Sequence, residues 1–577
     1  MGERLKEGYV LGIWDGHDAG AALVLGDQIL FATNEERITR RKLEVGFPRL
    51  SIRACLDYAA ISPSAIRYVA VSTSDPAKTL TRLLPGLKEE YYLLRRRKKG
   101  PKRFDSLKKW FKYRFTELKS NPISRRLTRY YMDRELKSMG FKDYRLSLTD
   151  HHSGHAQAAA RCSGFDECIV LTLDGVGDGL SGSVWHFNGK DLHLLKQMPA
   201  KTSFGIFFEH VTNLMNMREL EDEGKVMALA DYAYPVEDRE NPLMKVIWSR
   251  GLDIESRFSS TRMFREMKRI LWRYPSEQFA YMAQRVLEKN VLSIVQAAIA
   301  LTGSKRIALA GGVFSNIKLN MKVAELDGIE NVYVFPHMGD GGLAIGAALE
   351  VNYHEFGVTR YTLKDLYLGQ QFSRAYILSV LERWDYSYEE IKDVPQRAAR
   401  LILDGEIILW FQGRMEIGPR ALGNRSILAR PDDRRIKDRL NLALKKRVWY
   451  QPFCPSILLE DAPEILYTDG QDIRYNRFMT TAFRVREEYL RLMEGVINID
   501  GTCRPHFVSD ENPICQELLI NVKQKLGRGV ILNTSFNIHG EPIVCSPAEA
   551  LETLSRTGMR YLFMEDFLVE NTRAKNP

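Results

Sequence analysis

At 577 residues, 45% hydrophobic and 27% charged, the chain is long enough for two or three globular cores. No apolar run reaches the ~18 residues of a membrane span, and residues 1–8 lead straight into a short apolar strand, so neither a span nor a secretory leader is expected; Lys6 also breaks the myristoylation pattern. Seven scattered cysteines, an odd number without a CxxC pair, argue against a disulfide framework or zinc knuckle and fit a reducing cytoplasm.

The net charge of +10 is unevenly spread. Residues 87–145 hold 20 Lys or Arg against 7 Asp or Glu, so this stretch carries +13 and the rest of the chain −3. Aromatics such as Tyr91, Trp110 and Tyr131 are interleaved with the charges. Such a stretch could grip an anionic partner. It equally reads as two or three amphipathic helices, broken at Gly100-Pro101 and Asn121-Pro122, whose aromatic stripes pack on the body.

In chain order, residues 9–14, 21–25 and 28–32 form three short apolar strands joined by polar tight turns, which predicts a meander opening an α/β domain. The first turn, Asp15-Gly16-His17-Asp18, is small enough to bring backbone amides near an anion. Glu35-Glu36-Arg37-Ile38-Thr39-Arg40-Arg41-Lys42 reads either as a solvated helix start or as a cationic wall for a phosphate-bearing ligand. In Asp150-His151-His152-Ser153-Gly154-His155, followed by an Ala-rich run, Thr149 or Asp150 suits an N-cap. His151 and His155 then share one helix face a turn apart, the spacing at which a helix offers two imidazoles to one metal ion.

Residues 168–173 are an apolar strand that delivers Asp174 into an acidic, Gly-rich turn, and Asp340 follows the strand 331–335 in a similar turn. A buried strand exposes its end at the sheet edge, where ligands bind. Two His and two Asp suit divalent iron, zinc or manganese. The run 307–310 ends in Gly311-Gly312 and proceeds through Ser315-Asn316 into a helix, so a nucleotide could approach the backbone there. Neither GxGxxG nor a Walker A loop is present, which disfavours hydride transfer and P-loop chemistry.

The pattern changes at residues 357–372. Beyond it, Arg414, Arg420 and Arg425 surround a Gly-Pro turn that could converge their forks on phosphate. Lys445-Lys446-Arg447 closes a helix, Arg504 follows a Gly turn, and strand period two puts Asn533, Ser535 and Asn537 on one face.

Taken in order, GHDAGAAL (16–23), EERITRRK (35–42), HHSGH (151–155), LDGVGDG (173–179), DEGKVMALA (222–230), AGGVFSN (310–316) and GDGGLAIGAAL (339–349) resemble the N-terminal domain of the tobramycin and nodulation-factor type O-carbamoyltransferases. GRMEIGPRALGNRSILA, KKRVWYQPFCPS, DGTCRP and LNTSFNIHGEPIV resemble that family's C-terminal domain. The resemblance implies an actin/sugar-kinase-like (ASKHA) α/β domain over 1–360, with a basic insertion at about 86–146, and a YrdC-like α/β domain over 365–577.

It further implies that His151, His155, Asp174 and Asp340 bind one divalent metal, iron by analogy, which holds the phosphate of a carbamoyl-adenylate. Lys42, Gly311, Gly312, Ser315 and Asn316 would lie along the nucleotide. Asp222 and Lys225 would stand near the reacting group, and His17 or Asp222 would be the base. Arg420, Lys445, Arg504 and Ser535 would bind carbamoyl phosphate and ATP·Mg²⁺ in the second domain. That domain would form carbamoyl-adenylate and pyrophosphate, and the first would pass the carbamoyl group to a hydroxyl of a small-molecule acceptor. The resemblance also suggests a cytoplasmic homodimer without a nucleic-acid partner. Two other readings are a tRNA-modifying threonylcarbamoyl-type transferase and an ATP-binding regulator on the same fold. One departure stands out: Gln451 occupies the place where the family has Arg, and Lys446 or Arg447 could replace that lost phosphate ligand.

Overall fold

The computed structural model describes residues 7–96, 115–384, 386–445 and 448–572. Residues 97–114 of the basic stretch, Trp110 among them, and Lys446 and Arg447 lie outside the described residues. The chain divides into two compact units, Met1–Glu35 with Leu43–Thr362, and Glu36–Lys42 with Leu363–Pro577.

The first unit is built twice on one plan. β1 (Val10–Trp14), β2 (Gly20–Leu25) and β3 (Gln28–Asn34) form the predicted antiparallel meander, and β4 (Tyr68–Ser72) and β5 (Arg145–Thr149) add in parallel on the other side of β1. The second sheet repeats this with β6 (Cys168–Gly177), β7 (Leu180–Phe187) and β8 (Leu192–Pro199) antiparallel. A small hairpin, β9 (Ile247–Arg250) and β10 (Asp253–Ser256), intervenes, and β11 (Arg306–Ala310) and β12 (Asn331–Val334) then extend β6 in parallel. Each sheet therefore has the order third, second, first, fourth, fifth, with the same strand senses. This doubled, mixed sheet is the α/β core expected of an ASKHA domain.

Central strands are apolar throughout because both faces are covered. The helix Ser276–Thr302 presents Phe279, Ala283, Val286 and Ile294 at helical spacing to Ile307, Leu309 and Val332, and Gly303 ends it in the left-handed conformation. The basic insertion is the crossover from β4 to β5. Its helices Pro85–Arg95 and Pro122–Ser138 start at prolines, the second behind a capping box between Asn121 and Ser124. The aromatic stripe packs only in part: Tyr92 is buried and Tyr131 packs against the core, while Tyr130 is 65% exposed.

One helix crossing sets up the site. The helix His151–Cys162 lies against Leu343–Phe356 so closely that a Cβ on Gly346 would stand 2.0 Å from the Gly154 carbonyl oxygen. Only glycine admits this approach, and it brings the His-bearing first turn of one helix towards the Asp340 turn that leads into the other.

Residues 35–42 correct the expectation of a solvated helix start. Glu35, Glu36 and Arg37 are buried. The Glu35 carboxylate accepts from the amides of Leu50 and Ser51 and from the Ser51 hydroxyl. Arg37 donates to the Gly418 carbonyl, and Arg40 to those of Ile543 and Pro542. The two arginines thus dock the segment onto the second unit, to which Lys42 also belongs.

The second unit is a mixed eight-stranded sheet of β13 (Ser387–Glu390), β14 (Ile408–Phe411), β15 (Arg425–Ala429), β16 (Cys454–Leu458), β20 (His506–Val508), β21 (Val530–Ser535), β22 (Tyr561–Met564) and β23 (Phe567–Glu570). Its order is β13-β23-β22-β14-β15-β21-β16-β20. A three-stranded sheet of β17 (Leu466–Tyr467), β18 (Phe483–Val485) and β19 (Thr502–Cys503) adjoins it. One face is covered by Phe453, Ile457 and Phe507 with their cluster, the other in part by Leu518, Val522 and Ile402. That second face also carries the buried polar residues Ser456, His506 and Asn533.

Candidate functional site

The first unit gathers four of the expected ligands. Donor atoms of His151, His155, Asp174 and Asp340 all lie within 4.8 Å of one another. Nε2 of His155 is 3.1 Å and Nε2 of His151 3.5 Å from the same Asp174 oxygen, and Asp340 Oδ1 is 3.6 Å from His151 and 3.8 Å from His155. Both histidines are about 1% exposed.

The donor set fits a divalent cation. Nε2 of His151 is buried without a hydrogen-bond partner among the described residues, an arrangement native interiors avoid unless something meets the atom. Nδ1 of His151 lies 3.2 Å from the Thr73 hydroxyl, and a proton donated there leaves Nε2 as the lone-pair nitrogen. Two carboxylates and two neutral imidazoles balance a 2+ charge. Without it the cluster must take up protons: burial by itself would lower the His151 imidazole, but Asp340, Asp174 and Asp178 outweigh it and hold the group up at about 9. Burial would raise Asp174, yet both histidines hold it well below the carboxylate range.

Residues outside the ligand set position this cluster. Asp150 is the N-cap of the histidine helix but makes no side-chain cap bond. Asp178 caps instead, accepting from the His151 amide at 2.8 Å, and also from the Ser74 amide and the Ser120 hydroxyl. Thr73 sits at φ 70°, strained for a β-branched residue. It is held there by its own amide bonding Thr149 and by Arg82 bonding its carbonyl. Arg82 in turn forks onto Asp15, both nitrogens at 2.9 Å. Asp178 was legible in LDGVGDG; Thr73 had no signal in the sequence.

His17 joins the cluster edge, its Nε2 3.3 Å from Asp340 Oδ2, and it is partly open to solvent. Its carbonyl accepts from the Trp14 indole. Asp222 and Lys225 pair with each other at 2.8 Å, and Asp222 also accepts from the Arg218 amide. Although burial raises it, Lys225 and Arg218 hold Asp222 below its usual range, which makes it a weak base as it stands. Gly311, at φ 100°, passes so near Leu173 that a Cβ would meet its carbonyl at 2.1 Å, and Gly312 faces Asp174. Asn316 caps the next helix through Leu319 and pairs with the Gln284 amide, while Ser315 bonds Gly312.

In the second unit the three arginines of the Gly-Pro turn separate. Arg414 is tied to the carbonyls of Leu368 and Gly369. Arg425 is tied to those of Gln412 and Gly413 and stacks on Phe411. Neither is spare for phosphate, which corrects the expected convergence. Arg420, half-buried, has no hydrogen bond or ion pair among the described residues. Its enclosure and the nearby Arg504 hold it below the usual guanidinium range, an arrangement that an anion would relieve. Arg504 forks onto the Cys454 sulfur at 3.1 and 3.2 Å. Lys445 is committed to the end of β21: its Nζ reaches the Ser535 carbonyl at 2.5 Å and the Asn537 carbonyl and side-chain oxygens at 2.9 Å.

Comparison with known proteins finds relatives of both halves of the chain. Residues 9–349 match the model of the carbamoyltransferase N-terminus, and residues 399–571 that of the carbamoyltransferase C-terminus. An uncharacterized protein of Methanocaldococcus jannaschii is 31% identical over 98% of this chain and 100% of its own length. The nodulation protein NolNO of Sinorhizobium fredii is 32% identical over 97% of this chain and 79% of its own. The 3'-hydroxymethylcephem-O-carbamoyltransferase of Streptomyces clavuligerus is 30% identical over 56% of this chain and 60% of its own. With both halves matched in order, the chain belongs to the carbamoyltransferase family and is an enzyme of that family.

Proposed function

We propose that this carbamoyltransferase is an O-carbamoyltransferase working in two stages. In the second unit, water splits carbamoyl phosphate into carbamate and phosphate. A carbamate oxygen then attacks the α-phosphorus of ATP, the bond to the bridging oxygen breaks, and pyrophosphate leaves. Arg420 and Arg504 neutralise the anions, with Lys445 and Ser535 beside them. In the first unit, the acceptor hydroxyl oxygen attacks the carbamoyl carbon of the adenylate and AMP leaves. His17 takes the hydroxyl proton at Nε2. His151, His155, Asp174 and Asp340 would hold a divalent ion, iron by family resemblance, which would supply Lewis-acid polarisation of a phosphate oxygen.

The observation that carries this reading is the buried two-His, two-Asp cluster with a partly open histidine at its edge. The relative named for a 3'-hydroxymethylcephem supports a hydroxyl on a small molecule as acceptor. The test is pyrophosphate release from ATP with and without carbamoyl phosphate, in wild type and in His155→Ala. Release that needs carbamoyl phosphate and survives His155→Ala, with carbamoyl transfer lost, is the expected result. No carbamoyl-phosphate-dependent release in the wild type, with Mg²⁺ and iron supplied, would sink the two-stage reading.

A further inference from the structure

We infer that Asn533 selects the carbamoyl donor: its side-chain oxygen accepts an N–H of the carbamoyl amine, so the second unit rejects an acyl phosphate that carries a methyl group there. The inference rests on the second unit's reading as the adenylate-forming site.

Asn533 lies in the middle of β21, opposite Leu428 on β15 and Cys454 on β16. Residues directly opposite in antiparallel strands share a face. That face therefore carries Asn533, Cys454, Ser535 two residues on, Ser456 and its parallel partner His506. Arg504 forks onto Cys454. The amide nitrogen of Asn533 donates to the Ala421 carbonyl at 3.2 Å and to the Ser456 hydroxyl at 2.9 Å. A carbonyl can only accept, so the atom facing Ala421 must be the NH₂, and the identity of the other atom follows. That other atom, Oδ1, is buried without a partner among the described residues, in a residue 1% exposed.

The amide cannot turn over to relieve it. Ser456 accepts from Asn533 and pairs with Nδ1 of His506, 3.1 Å away, and a turned amide would set its oxygen against the Ala421 carbonyl. Burial pushes His506 down to about 4, so the ring is neutral. The turn that presents the Ala421 carbonyl also presents Arg420, the guanidinium without a partner. One end of the sheet thus combines spare positive charge with one spare, fixed acceptor. Carbamoyl phosphate matches both, with a phosphate for the arginines and an amine for the amide oxygen. Acetyl phosphate has the same shape and charge but would leave the acceptor unpaired, the situation in which buried polar groups discriminate most strongly.

The experiment measures kcat/KM for pyrophosphate release by the full chain with Mg²⁺·ATP, using carbamoyl phosphate or acetyl phosphate. Wild type, Asn533→Leu and Ser456→Ala are compared, with thermal melting as the folding check. Wild type should prefer carbamoyl phosphate, and Asn533→Leu should lose roughly 10- to 100-fold of that preference with KM for ATP unchanged. Ser456→Ala, which removes one of the two acceptors that hold the amide, should lose less; it carries the test if Asn533→Leu does not fold. Equal use of the two donors by wild type, or an unchanged preference in the folded variants, overturns the inference alone. Release with neither donor overturns the adenylating reading and the inference with it.

Discussion

Replacing Gly177 by alanine should disable the metal cluster without touching a ligand. A Cβ at Gly177 would stand 2.1 Å from Cγ, 2.3 Å from Cδ2 and 2.5 Å from Nδ1 of His151. Carbon atoms prefer ~3.5 Å or more, so the ring must retreat by roughly 1.4 Å. Gly177 is not in the left-handed region, so alanine suits its backbone and the effect is purely steric. The ring has little room to yield: Trp14 packs edge-on at 5.8 Å, His155 at 4.9 Å, and Thr73 holds Nδ1. Overpacking of this kind costs about 1–3 kcal/mol of stability. Displacing one of four ligands should weaken metal binding at least as much as loss of a supporting contact, about 10- to 100-fold. The assay loads wild type and Gly177→Ala with Fe²⁺, Zn²⁺ or Mn²⁺, then measures retained metal and carbamoyl transfer. Pyrophosphate release by the second unit serves as internal control and should be unchanged. Full metal retention with wild-type transfer would refute the idea that the Gly177–His151 contact sets the cluster.

Three further outcomes follow from the same geometry. Asp178→Asn leaves one acceptor oxygen where two serve the Ser74 amide, the Ser120 hydroxyl and the His151 amide, so urea unfolding should show a loss of about 1–3 kcal/mol. Arg504→Gln removes the like charge beside Arg420; melting should stay level or rise while carbamoyl-phosphate-dependent pyrophosphate release falls ~10-fold or more, and a destabilised but fully active variant would contradict the anion-site reading. In metal-free protein, His151 is raised from 6.5 to about 9, so its stabilising contribution is complete below pH 6.5 and is lost as pH rises through about 9. Metal binding needs the neutral ring, so apparent affinity should strengthen over that same window, measured by competition with a chelator.

Local patterns carried much of this protein. Apolar runs closed by small turns marked β1 to β3 and β6, the i, i+4 spacing put His151 and His155 on one helix face, and the Asp174 and Asp340 turns were visible as acidic Gly-rich strand ends. These features are set by neighbours within a turn or a strand, which a linear reading sees. It could not tell which cations are already committed. Arg37, Arg40, Arg414 and Arg425 looked like phosphate ligands and are tied to carbonyls distant in sequence, whereas Arg420 beside Arg425 has no such partner.

The sequence by itself determined which residue types stand at strand ends and helix starts, because hydrophobic period and turn chemistry are local. Tertiary structure alone decided that four of them meet. That meeting depends on the parallel crossover that sets β11 beside β6, and on the Gly154–Gly346 approach that lets two helices nearly touch. It likewise decided that Asp178 rather than Asp150 caps the histidine helix, and that Asn533 keeps one buried oxygen unpaired. Each of these is a distance between atoms far apart in the chain, fixed by close packing rather than by any pattern along it.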